Sequence, residues 1–526
     1  LNLLGLALFL ALLTAIAIVS RPLTPIDETR YVSVAWEMWL RGDFWVPFKN
    51  GVPYSDKPPL LLWLYQIGWA VFGVNDWWPR LVSPISSLIC LGLTAMLARQ
   101  IRPELREVSI SAPWILASSL LWILFSTSAM FDVLLTVWVL LGVSGIWLAS
   151  QGKLVRGFGL LGLAIGFGVL AKGPVILLHV LPLAVLAPWW SPGLKWKRWY
   201  GAIVVSVLMG AAIALAWAIP AGFKGGEEFR HAIFWGQTAN RMVDSFAHRR
   251  PFWWYLPLLP VLLYPWMVWP GLWRAVAATF STRLARGMKF CLAWGVPVFV
   301  AFSLISGKQI HYLVPLFPMF ALLSAQALAD RPQKLGRGGL IPAAFLLLTG
   351  AAALWFALRG LPAHNDWAEA ISPWAGSAML GLGLLWLVVS PRLHWRHGLV
   401  GLAFALPALV QLGVVRPLAS AYDVTPMALQ LRRLQQNGVP IAHEGKYHAQ
   451  YQFAGRLERP LEVISSQSLP EWFSHHPQGR AVVYVSSLKQ AQALKPEFYQ
   501  LYRGDVAVLV TRDQLAHLSG VRVQGE

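Results

Sequence analysis

Long uncharged runs alternate with short basic breaks along most of the chain, and Leu1 to Val19, Ile203 to Ile219 and Gly338 to Leu358 hold no charged residue at all. A helix needs roughly 20 apolar residues to cross a bilayer core, since each residue rises only about 1.5 Å and no backbone polar group can go unpaired in lipid. The pattern predicts about thirteen spans, over residues 1–20, 79–98, 109–125, 129–149, 157–171, 174–190, 201–221, 254–272, 290–306, 311–328, 338–358, 372–390 and 397–415. Only a short break around Ala171 to Pro174 separates the fifth from the sixth. The first run is read as a retained span, because no small-residue cleavage site precedes Arg21-Pro22.

The pattern changes after Asp423. Short β-like runs (Val439 to Ala442, Leu461 to Ile464, Ala481 to Val485, Val506 to Val510) alternate with helix-like stretches at Met427 to Gln436 and Leu488 to Leu494. The expected fold is therefore mainly α: a polytopic membrane domain over 1–420, then a small α/β domain over 421–526. His443-Glu444 in that domain reads as a surface pair.

Charge adds sidedness. The chain is 56% apolar, 13% charged and carries a net +19, and so basic a soluble protein would suggest a nucleic-acid partner. If the N-terminus is cytoplasmic, the even-numbered loops hold seventeen Lys and Arg against Glu104, Glu107 and Asp330. That excess is the cytoplasmic-loop signal and excludes the nucleic-acid reading. It also places the C-terminal domain outside the cytoplasm. Cys90 and Cys291 fall in or beside spans and read as apolar filler. No phosphate loop of the Walker or Gly-x-Gly-x-x-Gly type is present, which argues against an ATP-driven machine.

The remaining ionisable residues gather at the external ends of spans: Asp27 and Glu28, Asp132, Lys172, and Lys308, His311 and Tyr312. The first external loop adds Asp56 and Lys57, and the loop before the eighth span adds Arg230, Arg241, His248, Arg249 and Arg250. Any one of these is unremarkable as a loop-end charge. Asp132 and Lys172 differ because the sequence around each is apolar, and charges near lipid face a cavity or a partner. In loop 21–78, Tyr31 to Leu40 and Pro59 to Phe72 have the makings of interfacial helices that wall such a cavity or pack on the bundle. Lys57, followed by Pro58-Pro59, suits a lipid-linked phosphate, and Arg241 and Arg249 suit bidentate phosphate contacts.

Pro25-Ile26-Asp27-Glu28-Thr29-Arg30-Tyr31, Asp56-Lys57-Pro58-Pro59 and Trp77-Trp78-Pro79-Arg80 together resemble the GT-C class of membrane glycosyltransferases. The likeness is greatest to the bacterial lipid A aminoarabinose transferases and more distant to the protein O-mannosyltransferases. It implies transfer of 4-amino-4-deoxy-L-arabinose from undecaprenyl phosphate to a lipid A phosphate, at the periplasmic face of the bacterial inner membrane. On that resemblance Asp27, Glu28 and Asp132 are assigned catalytic roles. Lys57, Arg241, Lys172, Lys308, Tyr312 and Arg249 are assigned to the donor phosphate. The family shows a Glu-His pair before its loop arginine, where this chain has Gly236-Gln237. No cofactor is assigned, a divalent metal ion is left open with Asp56 and His248 as its candidate ligands, and the expected partners are the undecaprenyl-phosphate-linked donor, lipid A and membrane lipids.

An inverting displacement needs the leaving phosphate stabilised and the acceptor aligned opposite it, and a phosphate acceptor, already anionic, needs no base. Two alternatives stay open: polyprenyl-phosphate-dependent transfer of mannose or another sugar to a protein or glycan hydroxyl, with Asp27 as general base, and a transporter. Transporters bind near the bilayer midplane, often between repeated halves. Here the charges collect at one face and no repeat is visible.

Overall fold

The computed structural model describes residues 3–236, 249–282, 284–329, 334–359 and 372–514. Among the described residues, ten helices are long and apolar enough to cross a membrane, from Leu3–Ser20 to Trp395–Gln436. Arg106–Ala117 and Leu120–Ser126 make an eleventh, bent by 67°.

Two predicted spans are not single helices of that length. Residues 174–190 fold as Val175–Val185 and Ala187–Trp190, and 254–272 as the short pieces Leu256–Leu258 and Leu259–Leu262 followed by Pro270–Phe280. Prolines are the physical reason: Pro182 and Pro188 in the first, and Pro257, Pro260, Pro265 and Pro270 in the second, each lack an amide donor and crowd the preceding turn. The first still carries the chain between the two ends of the bundle. Lys172 stands before it, opposite Asp132. Ser191 follows it and accepts from Arg286 (2.8 Å), which also donates to the Ser150 carbonyl (3.2 Å). Asp132 and Ser150 share one helix, so these ends lie roughly 27 Å apart.

The bundle is apolar outside as well as inside. Val205, Leu208, Leu348 and Leu384 are large exposed side chains on span helices, as lipid-facing positions should be. Inside, the antiparallel helices Phe131–Ser150 and Leu154–Lys172 close on glycine: a Cβ at Gly145 would lie 2.5 Å from the Gly157 carbonyl oxygen, and one at Gly157 2.4 Å from that of Gly145. This close crossing sets the opposite ends of the same pair, where Asp132 and Lys172 stand.

Loop 21–78 forms the two helices Asp27–Arg41 and Leu60–Phe72, joined through a small hairpin that pairs Phe48–Lys49 with Val52–Pro53. The first buries Tyr31, Val34, Ala35 and Met38, and with them Trp36. The second buries Leu61, Leu62, Tyr65 and Trp69 and leaves Ile67, Val71 and Phe72 exposed.

The C-terminal region carries a five-stranded sheet in the order Glu462–Ile464, Ile441–Glu444, Arg480–Val485, Asp505–Val510, Phe498–Tyr502. The first three strands are parallel and the last two antiparallel to their neighbours. Alternating residues bury on the two faces, Val482 and Tyr484 beneath Thr425–Gln436 and Ala481, Val483 and Val485 beneath Leu469–His475. The strand Phe498–Tyr502 and the helix Leu469–His475 lie outside the elements read from sequence. His443 and Glu444 are not on the surface. Both are about 1% exposed, and His443 joins a buried network with Tyr484 (3.0 Å) and Gln450 (3.3 Å).

Sheet domain and first loop are fastened together. Asn50 donates to the Leu461 carbonyl (2.9 Å), Phe453 N–H donates to Ser33 Oγ (3.1 Å), Trp36 Nε1 donates to the Leu457 carbonyl (3.0 Å), and Phe453 stacks on Trp69 at 5.2 Å.

Candidate active site

Two neighbouring carboxylates open the Asp27–Arg41 helix and have different surroundings. Glu28 turns inward, its side chain 6% exposed. One oxygen accepts from the Ala129 amide (2.6 Å); the other accepts from the Thr24 amide (2.9 Å) and pairs with Arg21. Arg21 also donates to the Thr127 carbonyl (2.8 Å) and Ser128 Oγ (3.1 Å). Burial raises the Glu28 pKa, but the Arg21 charge and the Ala129 and Thr24 amides outweigh it and hold it below the usual value. Glu28 is thus a clamp between the first loop and the 127–129 turn. Both oxygens of Glu28, expected from the sequence to act on substrate, are engaged by these groups.

Arg80 supports the same corner by donating to the Ala17 (3.1 Å) and Arg21 (2.7 Å) carbonyls at the end of the first helix. Trp78 donates to the Leu64 carbonyl (2.9 Å) and lies over Gly68, where a Cβ would be 1.8 Å from its Nε1. The Trp77-Trp78-Pro79-Arg80 motif therefore frames the site.

Asp27 turns the other way, with 44% of its side chain exposed. It pairs with Arg30 and accepts from the Tyr31 hydroxyl (3.2 Å). Burial, then the Asp27 charge, push the Tyr31 phenol pKa well up, so it stays a neutral donor.

Asp132 sits in the first turn of one span and Lys172 in the last turn of its antiparallel neighbour, each at the helix end that favours its charge. They form an ion pair in which Asp132 is 1% exposed, and Asp132 Oδ2 has no hydrogen-bond partner among the described residues. The Lys172 ammonium stands 5.4 Å from the Tyr312 ring centre, and that ring meets His311 edge-on at 4.8 Å. The charges of Asp132, Lys172, Asp27 and Lys57 all act on His311. Residues from five separate stretches of chain thus converge at one end of the bundle.

His311 and Arg30 are members that sequence reasoning did not assign. The signal for Arg30 was its place one turn after Asp27; His311 was already grouped with Lys308 and Tyr312 in the sequence, without a role of its own. Lys308 stands apart from the cluster: its ammonium donates to the backbone carbonyls of Arg250 (3.0 Å) and Ile305 (2.5 Å), which fastens one loop to another. Arg249 is exposed and bridges to Gly307. Arg241 and His248 lie outside the described residues. Among the described residues no three His, Cys, Asp or Glu side chains converge in a group that could hold a metal ion.

Residues 56–220 match the family model described as dolichyl-phosphate-mannose-protein mannosyltransferase. The chain is 27% identical to an undecaprenyl phosphate-alpha-4-amino-4-deoxy-L-arabinose arabinosyl transferase of Edwardsiella ictaluri, over 89% of this chain and 90% of that protein. It is 31% identical to the protein of the same name from Erwinia tasmaniensis, over 74% of this chain and 72% of that one. The chain belongs to this arabinosyl transferase family. The crystal structure of ArnT from Cupriavidus metallidurans bound to undecaprenyl phosphate superposes with a TM-score of 0.75 at 20% identity, over 95% of this chain and 97% of that one. The arabinosyl transferase fold thus extends through both the helical bundle and the C-terminal sheet.

Proposed function

We propose that the chain transfers 4-amino-4-deoxy-L-arabinose from undecaprenyl phosphate to a phosphate of lipid A, on the periplasmic side of the bacterial inner membrane. Family membership supports the sugar and the donor. The observation that carries the chemistry is the convergence of Asp27, Lys57, Asp132, Lys172, His311 and Tyr312 at one end of an apolar bundle.

In this reading an oxygen of the acceptor phosphate forms a bond to the anomeric carbon while the bond to the donor phosphate breaks, its electron pair leaving with undecaprenyl phosphate. The anomeric centre inverts. Lys57 and Lys172 stabilise the charge that grows on the leaving phosphate, with the Tyr312 hydroxyl as a further donor. Such preorganised charge acts strongly where protein and lipid exclude water. Asp132 holds Lys172 in place, and its second oxygen is buried with no hydrogen-bond partner among the described residues. Asp27, half exposed and fixed by Arg30 and Tyr31, orients the sugar through its amine and offsets positive charge at the anomeric carbon. The acceptor phosphate needs no base.

The match of 56–220 to a mannosyltransferase model favours a second reading, transfer to a hydroxyl with Asp27 as general base. Radiolabelled sugar on undecaprenyl phosphate, offered lipid A and hydroxyl-bearing peptides in parallel, separates them. Label in lipid A alone supports the first reading; label in the peptide alone overturns it.

A further inference from the structure

Lys57 stands on a short stretch of chain between two structured pieces. Before it, the hairpin of Phe48–Lys49 and Val52–Pro53 is closed by the Tyr54 amide, which donates to the Pro47 carbonyl (2.7 Å). After it comes the helix Leu60–Phe72, whose first turn the Trp63 amide closes on the Pro59 carbonyl (2.8 Å). Between them, Pro58 and Pro59 have a fixed φ, and Lys57 is restricted because it precedes a proline. Where the hairpin and the helix are held therefore decides where Lys57 stands.

Both pieces are held by the C-terminal domain. At the hairpin tip, Asn50 Oδ1 accepts from Gln452 Nε2 (3.0 Å) and from the Leu461 amide (2.8 Å), while its Nδ2 donates to the Leu461 carbonyl (2.9 Å). A Cβ at the neighbouring Gly51 would lie 2.9 Å from Pro460 Cγ, so the tip rests directly on that domain. On the helix, the buried Trp69 stacks on the buried Phe453 at 5.2 Å, with the ring planes 14° apart. The Arg456 guanidinium stands 3.8 Å from the centre of the Phe453 ring and bonds Asp76 (2.8 Å), just beyond the end of that helix. The two tethers bracket Lys57, one seven residues before it and one twelve after, and the adjacent residues Gln452 and Phe453 carry a share of both. Trp69 lies roughly 14 Å along the helix axis from Leu60, so a shift of the helix at Phe453 carries to the end that bears Lys57.

We infer that Gln452 and Phe453 are positioning residues for Lys57, which makes the C-terminal domain a working part of the donor site. The inference rests on the proposed role of Lys57 at the leaving phosphate. The two residues act through the hairpin and the helix, not by contact with the phosphate. A misplacement of about 1 Å at a reacting group, imposed from far away, costs up to about 100-fold in rate, so small movements of either tether reach the chemistry.

The test measures binding of undecaprenyl phosphate to the full chain in detergent, for Asn50→Gly and Phe453→Leu, each made with Lys57 present and in a Lys57→Ala chain. Asn50 has a φ of 51°, so glycine removes the tether while keeping the turn. Leucine at 453 stays apolar but removes the flat ring on which Trp69 stacks. With Lys57 present, each variant is expected to weaken binding about fivefold, within the range of coupling between residues of one network. In the Lys57→Ala chain neither should weaken it further, because a residue that acts through Lys57 then has nothing to act on. A merely structural role would produce the same loss in both chains. Asn50 is half-buried, and Asn50→Gly carries the test alone if Phe453→Leu does not fold. Unchanged binding with Lys57 present, or an equal loss with and without Lys57, overturns the positioning role. If Lys57→Ala by itself binds as tightly as wild type, the donor assignment fails, and the inference fails with it.

Discussion

Asp27 and Glu28 are adjacent in the chain and serve two different regions. The Glu28 region is closed: a buried carboxylate and a partly buried guanidinium are joined to each other and to the 127–129 turn. The Asp27 region is open. Its carboxylate is half exposed, and across from it Asp132 keeps one oxygen unpartnered beside Lys172. Charge in the first region is used to hold shape. In the second it is held in shape with a carboxylate oxygen to spare. A carboxylate near lipid is therefore not a functional residue by type; whether its oxygens are already engaged decides.

Glu28→Gln probes the closed region hardest. It leaves Arg21 buried without its counter-charge and should lower stability by about 3–5 kcal/mol, read by thermal unfolding in detergent, with activity falling only as the folded fraction falls. Lys57→Ala should act on the other side of the comparison. Loss of a charged phosphate contact of ~1.5–3 kcal/mol weakens undecaprenyl phosphate binding roughly 10- to 100-fold, with the melting point unmoved. Unchanged affinity would remove Lys57 from the donor site.

Gly68→Ala tests whether the frame governs the open region. The new methyl collides with Trp78 and should cost about 1–3 kcal/mol, with a drop in donor affinity as the 60–72 helix shifts behind Lys57. The smallest expected effect is in pH. Glu28 has a lowered folded pKa, so its stabilisation is present above the unfolded value of 4.5 and is lost as pH falls through the lowered folded value. Wild type should lose this increment on acidification, whereas Glu28→Gln, lacking the titrating group, should not.

Much of the architecture was legible because lipid leaves the chain few options. A run of apolar residues between basic breaks has to be a span, and the strands and helices after Asp423 follow from period and turn residues. The prolines of 174–190 and 254–272 were visible too, yet their effect was not, since a length rule does not see a broken helix that still carries the chain across. Asp132 and Lys172 stood out as charges in apolar sequence. Glu28 and Lys308 looked similar, but their partners are backbone groups of the 127–129 turn and of Arg250, which no local pattern reveals. The approach of Lys172 to the Tyr312 ring comes only through contact between distant segments. His443 was misread as exposed because His-Glu is polar, whereas a strand covered on both faces buries it among tyrosines.

Asp27→Asn, assayed for radiolabelled aminoarabinose transfer to lipid A alongside thermal unfolding, tests the division between the two regions most directly. Transfer should fall by at least about 100-fold with a melting point close to wild type, since the Arg30 pair is partly exposed and contributes no more than about 1 kcal/mol. Near-normal turnover, or a melting point as depressed as that of Glu28→Gln, would contradict that division.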